Sequence, residues 1–202
     1  MRIFVAFMAL LVVSTTLLYL YCCKNRVYKL TTALCPEART ILDLGCGACC
    51  TTAKLSKMGK QVVSLDVVNK GVCNVPILFD GHNIPFASDS FDLGICSFVL
   101  HHTKQYTKLL HELKRVCTKV LVIENTPETD REWEYIRVHA NSHWGHCVDC
   151  FSDSTQWKKI FKQTGFKVEK ERTISKWLCP FSDKPFYYPV TSTAYLLSKH
   201  VT

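Results

Sequence analysis

The stretch ILDLGCGACCTTAKL, residues 41–55, decides the fold, because a short apolar run passes through a glycine-containing turn into a helical pattern. Asp43 lies near the end of the apolar run, and Gly45 and Gly47 form the turn. Glycine permits backbone angles and a close backbone approach that a Cβ would block. A strand, a glycine turn and a helix in this order indicate a turn built to hold a ligand.

Strand and helix patterns alternate on both sides of this turn. Short apolar runs predict buried strands, and patterns with apolar residues on one face predict helices. The strands are expected at residues 40–45, 61–67, 75–80, 91–98, 119–125, 166–174 and 191–200, and the helices near 50–59, 104–117 and 152–165. This alternation predicts an α/β fold, a Rossmann-like, seven-stranded, mostly parallel sheet with helices on both faces.

The amino-terminal residues differ from the rest of the chain. Residues 3–23 contain no charged side chain, and this segment is long enough for one membrane-spanning helix. A cleaved signal peptide is the alternative, although its apolar stretch is usually shorter. Basic residues after the segment (Lys24, Arg26 and Lys29) predict a membrane localisation with a single-pass anchor and the carboxyl-terminal domain in the cytoplasm.

These boundaries divide the chain into parts. We expect an anchor helix at 1–24, a basic linker or short helix at 25–40 and one folded domain at 41–202. Within that domain, residues 126–151 and 175–190 are aromatic and irregular, and we expect them to form loops beside the ligand-binding turn, on the side that would receive a second ligand, the acceptor.

Composition narrows the class of protein. The 202 residues are 48% apolar, which excludes a disordered composition. Their formal charge is +8. The charge suits nucleic acid or an anionic membrane, but a simply solvated basic surface explains it equally well. The 12 cysteines lie partly in apolar runs, so we interpret most of them as buried, reduced thiols.

Two further acidic residues follow predicted strands. Asp66 closes the run VVSLD, where a carboxylate can accept hydrogen bonds from both ribose hydroxyls of an adenosine. Asp80 follows the next strand, where it can accept from an adenine amino group. The carboxyl ends of parallel strands meet at one edge of a sheet, which places both near Asp43.

In this order the segments resemble the class I S-adenosylmethionine-dependent methyltransferases, especially the methyltransferase type 11 group. ILDLGCGACC resembles the first motif, VVSLDV the second acidic strand, and FDGHNIPFASDSFDLGICSFVLHHT the following stretch. LLHELKRV with VLVIE and WKKIFKQTGFKVEK resemble the later elements, so the likeness covers roughly residues 38–174. S-adenosylmethionine is the cofactor that this resemblance implies.

The resemblance also assigns roles. The two glycines would let the loop pass beneath the methionine and ribose, and Asp43 would orient it. Ser97 would line the floor near the sulfonium. The full set of cofactor-binding positions is Asp43, Gly45, Gly47, Asp66, Asp80, Gly81 and Ser97. Cys49 departs from the pattern, because it replaces the third glycine; a small thiol fits there if its backbone angles are ordinary.

A general base is needed only for a protonated acceptor. His101 and His102 follow the fourth strand and Glu124 lies near the end of the fifth, which makes them catalytic candidates. Packing or capping roles explain these residues as well.

We expect a small-molecule or lipid-like acceptor, with Trp144, His146 and Trp177 among the residues that contact it. The histidines and cysteines at 139–150 could alternatively bind zinc, but their spacing fits no standard motif, and no metal site is assigned. The expected partners are a membrane through residues 3–23 and the acceptor; nucleic acid is possible but not favoured. An RNA methyltransferase and a non-catalytic interaction module remain as alternatives.

Overall fold

The computed structural model describes residues 25–70, 74–142, 148–174 and 189–200. In chain order the elements are α1 (Asn25–Leu34), β1 (Thr40–Leu44), α2 (Cys50–Lys57), β2 (Gln61–Asp66), β3 (Ile77–Leu78), β4 (Phe91–Ser97), a 3-10 turn (Leu100–His102), α3 (Tyr106–Val116), β5 (Cys117–Asn125), α4 (Asp130–Ser142), a second 3-10 turn (Val148–Cys150), α5 (Ser154–Gln163), β6 (Phe166–Ile174) and β7 (Ser192–Lys199).

The strands form one seven-stranded sheet in the order β3-β2-β1-β4-β5-β7-β6. Strands β1 to β5 pair in parallel, whereas β7 is antiparallel to both β5 and β6. The Rossmann-like α/β fold with seven strands is confirmed, but the sheet is mixed rather than mostly parallel. Strand β7 enters from the far end and lies between two strands that precede it in the chain, so its direction is reversed.

Alternating side chains give the sheet two apolar faces. On one face, Leu42 and Leu44 of β1 join α3 and α5 in a core that includes Trp157 and Phe161. On the other face, Ile41 joins a core to which α1 and α2 contribute, among other residues, Val27, Leu30 and Leu55. Helices therefore cover both faces, as the alternation of patterns predicts.

The amino-terminal helix belongs to this folded unit. Val27 and Leu30 of α1 are buried against the sheet together with Cys35 and Ala38, which lead into β1. These contacts make the segment part of the second core. Truncation within α1 would therefore remove apolar packing from the domain itself.

Two elements differ from the patterns in detail. Strand β3 is shorter than the run 75–80, and its two residues are exposed at the sheet edge. Residues 126–151, expected to be irregular, include the helix α4. Polar and aromatic residues are frequent in this helix, which hides its period from a hydrophobicity pattern.

The membrane localisation predicted from the sequence is corrected. Across the part of the chain that the structure describes, no helix combines the length and apolar character needed to cross a bilayer. Residues 3–23, on which the expected anchor depended, lie outside the described residues.

Candidate functional site

The carboxyl ends of β1, β2 and β3 bring the predicted acidic residues to one edge of the sheet. Asp43 is the penultimate residue of β1, Asp66 ends β2, and Asp80 follows β3 by two residues. The three strands are adjacent and parallel. In open α/β sheets ligands bind outside the carboxyl ends of the strands, so this edge is the candidate site.

The glycine turn is fixed between this edge and β4. Gly45 has φ +64°, and a Cβ at this position would overlap the Cγ2 methyl of Val99. The turn and the acidic strand end are joined directly, because the Gly47 N–H donates to Asp66 Oδ2 at 2.8 Å. Asp66 Oδ1 accepts from the N–H groups of Val67 and Val68. Each oxygen has two lone pairs, so Oδ2 retains one for a ligand hydroxyl.

Cys49 is less ordinary than its side chain suggests. Its backbone is left-handed, with φ 57° and ψ 26°, at the N-cap of α2. The condition for tolerating a thiol at the third-glycine position, ordinary backbone angles, is therefore not met. A non-glycine residue in this conformation costs roughly 1–2 kcal/mol. Such strain concentrates at functional sites, where surrounding contacts enforce it.

The other two carboxylates organise the backbone around the site. Asp43 is buried and its Oδ2 accepts from the Thr52 hydroxyl at 2.7 Å, which ties β1 to α2. Asp80 is exposed and its Oδ1 accepts from the N–H groups of Asn83 and His82. These bonds, led by that of Asn83, lower the pKa of Asp80 to about 2. Gly81 lies within the turn that Asp80 closes.

Strand β4 ends in a second strained segment. Ser97 is buried, and its Oγ has no hydrogen-bond partner among the described residues. Phe98 has φ 56°, and its N–H donates to the Ile123 carbonyl of β5. An unpaired hydroxyl buried at a ligand-binding edge fits a polar group supplied by a ligand. The chain then turns Val99 against Gly45, which joins this segment to the glycine turn.

His101 and Glu124 form a buried pair beside that segment. Glu124 is 0% exposed, and its Oε1 accepts from the N–H groups of Val99 and Leu100 at 2.9 and 2.7 Å. Its Oε2 lies 2.6 Å from His101 Nδ1. An ionised carboxylate only accepts, so Nδ1 is the donor and Nε2 of a neutral ring is the basic nitrogen. The arrangement therefore fixes the tautomer and orientation of His101.

Aromatic rings frame this histidine. The His101 ring stacks on Phe151 with centroids 4.5 Å apart, and the exposed His102 lies at 4.2 Å. Sequence reasoning did not find Phe151, because the residue follows a polar stretch and matches no motif. It likewise missed the left-handed Phe98, since a bulky residue gives no signal for a positive φ.

Several predicted residues cannot be placed. Trp144, His146 and Trp177 lie outside the described residues. Within the described residues no cluster of metal-ligating side chains is found. Cys150 is disulfide-bonded, so its sulfur is not a free thiolate ligand for zinc.

The clearest depressions on the described surface lie at the opposite end of the strands. One of about 360 Å³ is lined by residues that include Arg39, Asp92 and Lys119, and a neighbouring one of about 510 Å³ adjoins Gly59 and Lys60. Both are open to solvent, and Lys60 and Asp92 are already bonded to backbone groups there. Chemistry therefore favours the carboxyl edge.

Comparison with known proteins agrees with this geometry. Residues 42–120 match a family described as "Methyltransferase domain". Over these residues the chain is similar to the methyltransferases that its motifs predict. The predicted family and its cofactor, S-adenosylmethionine, are thereby confirmed. The matched residues include the glycine turn, Asp66 and the His101 segment, and end within β5.

Two curated proteins are similar to this chain. The uncharacterized methyltransferase YcgJ of Bacillus subtilis is 26% identical over 166 residues, which are 74% of this chain and 64% of that protein. The demethylmenaquinone methyltransferase of Corynebacterium kroppenstedtii is 39% identical over 82 residues, 38% of this chain and 36% of that protein. The chain thus spans less than two thirds of the length of either.

A solved structure shows the same fold. The 1,6-didemethyltoxoflavin-N1-methyltransferase of Burkholderia thailandensis, bound to 1,6-didemethyltoxoflavin and S-adenosylhomocysteine, superposes with a TM-score of 0.62 at 12% identity. The superposition covers 88% of the present chain and 78% of the Burkholderia chain. At this identity the comparison establishes the fold, not the acceptor.

Proposed function

We propose that this protein transfers a methyl group from S-adenosylmethionine to a small-molecule acceptor, with His101 as the general base. The observation that carries the proposal is the buried Glu124–His101 pair, which adjoins Val99 where that residue meets the glycine turn. If the Glu124–His101 pair served only to stabilise the fold, it could lie at any edge of the sheet. Here it lies at the carboxyl ends of β4 and β5, where ligands of this fold bind.

The residues at the edge fit the cofactor. Asp66 Oδ2 has one remaining lone pair for a ribose hydroxyl, and Gly45 and Gly47 keep side chains out of the turn. Ser97 offers an unpaired hydroxyl. We assign Asp43 to holding the turn against α2, and Asp80 with Gly81 to the adenine side. When bound, S-adenosylmethionine supplies an electrophilic methyl group on a sulfonium whose leaving group is a neutral thioether.

The protein must then align the acceptor and, where the acceptor is protonated, remove a proton. His101 meets the second need, because Glu124 holds the proton on Nδ1 and leaves Nε2 as the base. Glu124 also stabilises the imidazolium that forms, and acts as a positioning residue. The exposed His102 ring lies 4.2 Å from the His101 ring, and we assign it to the acceptor side.

An apolar, ring-bearing acceptor is the favoured class. One similar protein is named a demethylmenaquinone methyltransferase, and the solved neighbour holds 1,6-didemethyltoxoflavin, so a ring compound is associated with each of them. The stacked rings of His101 and Phe151 beside the site suit such a compound. Trp144, His146 and Trp177 remain predicted contacts for it, and a lipid-like quinone falls within the same class.

The first test is binding of S-adenosylmethionine to the full chain by titration calorimetry. We expect saturable binding that Asp66→Asn weakens at least tenfold. Asp92→Asn is a matched control, since Asp92 also accepts from two backbone N–H groups, but at the opposite end of β1. A folded chain without saturable binding would instead indicate a non-catalytic module.

The second test uses labelled S-adenosylmethionine with pools of quinones, phenols, thiols and RNA. Methylation of a quinone or phenol pool supports the proposal. Transfer to RNA alone, with steep dependence on salt, would replace the small-molecule acceptor by a nucleic acid.

A further inference from the structure

The glycine turn contains a pair of thiols in contact. Cys46 and Cys49 are both 0% exposed, and their sulfur atoms are 2.9 Å apart. The intervening residues are Gly47 and Ala48, so the pair brackets the turn in a Cys-x-x-Cys arrangement. Beside a βαβ unit such a spacing is typical of cysteines that exchange between dithiol and disulfide.

The peptide between the sulfurs is part of the candidate cofactor site. Both thiols are directed to the Gly47 carbonyl, with Sγ–O distances of 3.9 Å from Cys46 and 3.6 Å from Cys49. The N–H of the same glycine donates to Asp66. A change in the bonding of the two sulfurs therefore acts on the group that joins the turn to the ribose-binding carboxylate.

We propose that Cys46 and Cys49 form a reversible disulfide that weakens S-adenosylmethionine binding, so that the turn is a redox-controlled element of the site. This inference rests on the proposed function. A disulfide requires sulfurs about 2.05 Å apart, closer than the present 2.9 Å, so the turn must tighten around Gly47. Oxidation also removes both S–H donors from the Gly47 carbonyl.

The reaction is thiol–disulfide exchange with a low-molecular-weight disulfide as the oxidant. One protein thiolate attacks the small disulfide, forms a mixed disulfide and releases one small thiol. The second protein thiolate then attacks the mixed disulfide, forms the Cys46–Cys49 bond and releases the other small thiol. Two protein thiols are oxidised and one small disulfide is reduced to two thiols, with the two protons lost to solvent and taken up by the products.

The surroundings indicate the order of the steps. Burial, then the contact with Cys49, raises the pKa of the Cys46 thiol well above its usual range. Cys49 is instead the N-cap residue of α2. Cys49 is therefore the attacking thiol, and Cys46 resolves the mixed disulfide. Both sulfurs are buried, so exchange requires opening of the turn, and bound cofactor should slow it.

The experiment compares the full chain after reduction and after incubation with oxidised glutathione. Peptide mapping by mass spectrometry should find the 46–49 peptide lighter by two hydrogen atoms. Calorimetry should show at least tenfold weaker S-adenosylmethionine binding, restored by a reductant. Saturating S-adenosylmethionine should slow the oxidation.

Three variants separate the outcomes. Cys46→Ser and Cys49→Gly should each lose the response to oxidation, measured against their own reduced affinity; two variants are needed in case one fails to fold. Cys35→Ser, at a buried free thiol beyond the opposite end of β1, should keep the response.

Other results would overturn the inference. A disulfide to Cys50 in place of the 46–49 bond, or a 46–49 disulfide that leaves affinity unchanged, contradicts it while the proposed function stands. Absence of the 46–49 bond under excess oxidant also overturns it. Failure of the reduced protein to bind S-adenosylmethionine contradicts the proposed function instead.

Discussion

Replacing Glu124 by glutamine tests the chemistry of the candidate site with almost no change in shape. The carboxylate accepts from Val99, Leu100 and His101. The amide has one accepting oxygen, so its NH2 group must face either the two backbone N–H groups or the histidine. If the NH2 group faced the backbone, it would meet two N–H donors. If it faced His101, it would meet only the Nδ1–H donor, and that conflict disappears when the ring changes tautomer.

Glu124→Gln should therefore move the proton of neutral His101 from Nδ1 to Nε2. Loss of a charge-assisted bond in a fully buried network costs about 1–3 kcal/mol of unfolding free energy. Loss of a general base costs about 10²–10⁴ in turnover. Affinity for S-adenosylmethionine should change less than threefold, because Glu124 makes none of the bonds assigned to the cofactor.

The tautomer is measured by two-dimensional nitrogen–proton NMR of labelled imidazoles, stability by urea unfolding, and turnover with an acceptor from the methylation screen. Glu112→Gln is the matched control, because it makes the same substitution at a carboxylate that is bonded to Arg115 and not to His101. A variant that keeps the Nδ1 proton and near-normal turnover would refute the assignment of His101 as base. Equal turnover losses in both variants would show that the effect does not depend on Glu124.

Three other substitutions address the turn, the acidic strand end and the stability of the domain. Gly45→Ala should lower cofactor affinity at least tenfold and stability by about 1–3 kcal/mol, since its Cβ meets Val99 at a positive φ; calorimetry and urea unfolding would measure both, and unchanged affinity would contradict the role of the turn. Asp66→Ala should weaken cofactor binding more than Asp66→Asn and destabilise by about 1–3 kcal/mol, because several N–H groups lose their acceptor; equal affinities for the two variants would argue against this. The hydrogen bonds from Arg115 lower the pKa of Glu112, so their contribution to the free energy of unfolding is complete above the unfolded pKa of about 4.3 and is lost as the pH falls through the lower folded pKa. Glu112→Gln should therefore cost under about 1 kcal/mol of unfolding free energy at pH 7 and nothing at pH 2. A stability difference that persists at pH 2 would contradict the ion pair.

The sequence was sufficient to locate most strands because β1, β4, β5 and β7 are largely buried and apolar. Runs such as residues 61–66 and 117–125 leave little choice of structure, and the motif order placed Asp43, Asp66 and Asp80 on one edge. The cap of α5 was also visible, since Asp153 accepts from the Gln156 N–H as its position predicts.

The remainder depends on contacts that no local pattern contains. The direction of β7 follows from its pairing with β5, far away in the chain. The left-handed angles of Cys49 and Phe98 are imposed by neighbours, against the preference of the residues themselves. The bond between His101 and Glu124 joins residues 23 apart in sequence, and only the coordinates show that it forms.

The position of β7 has a consequence for biosynthesis. Residues 192–199 are the last strand in the chain order but separate β5 from β6 in the sheet. While the ribosome has not yet released them, β6 has no neighbour to pair with, and the edge of β5 stays open. A premature stop codon shortly before Ser192 would therefore remove β7 and also leave β6 without a pairing partner. Nascent chains of that length should be substrates for chaperones and proteases.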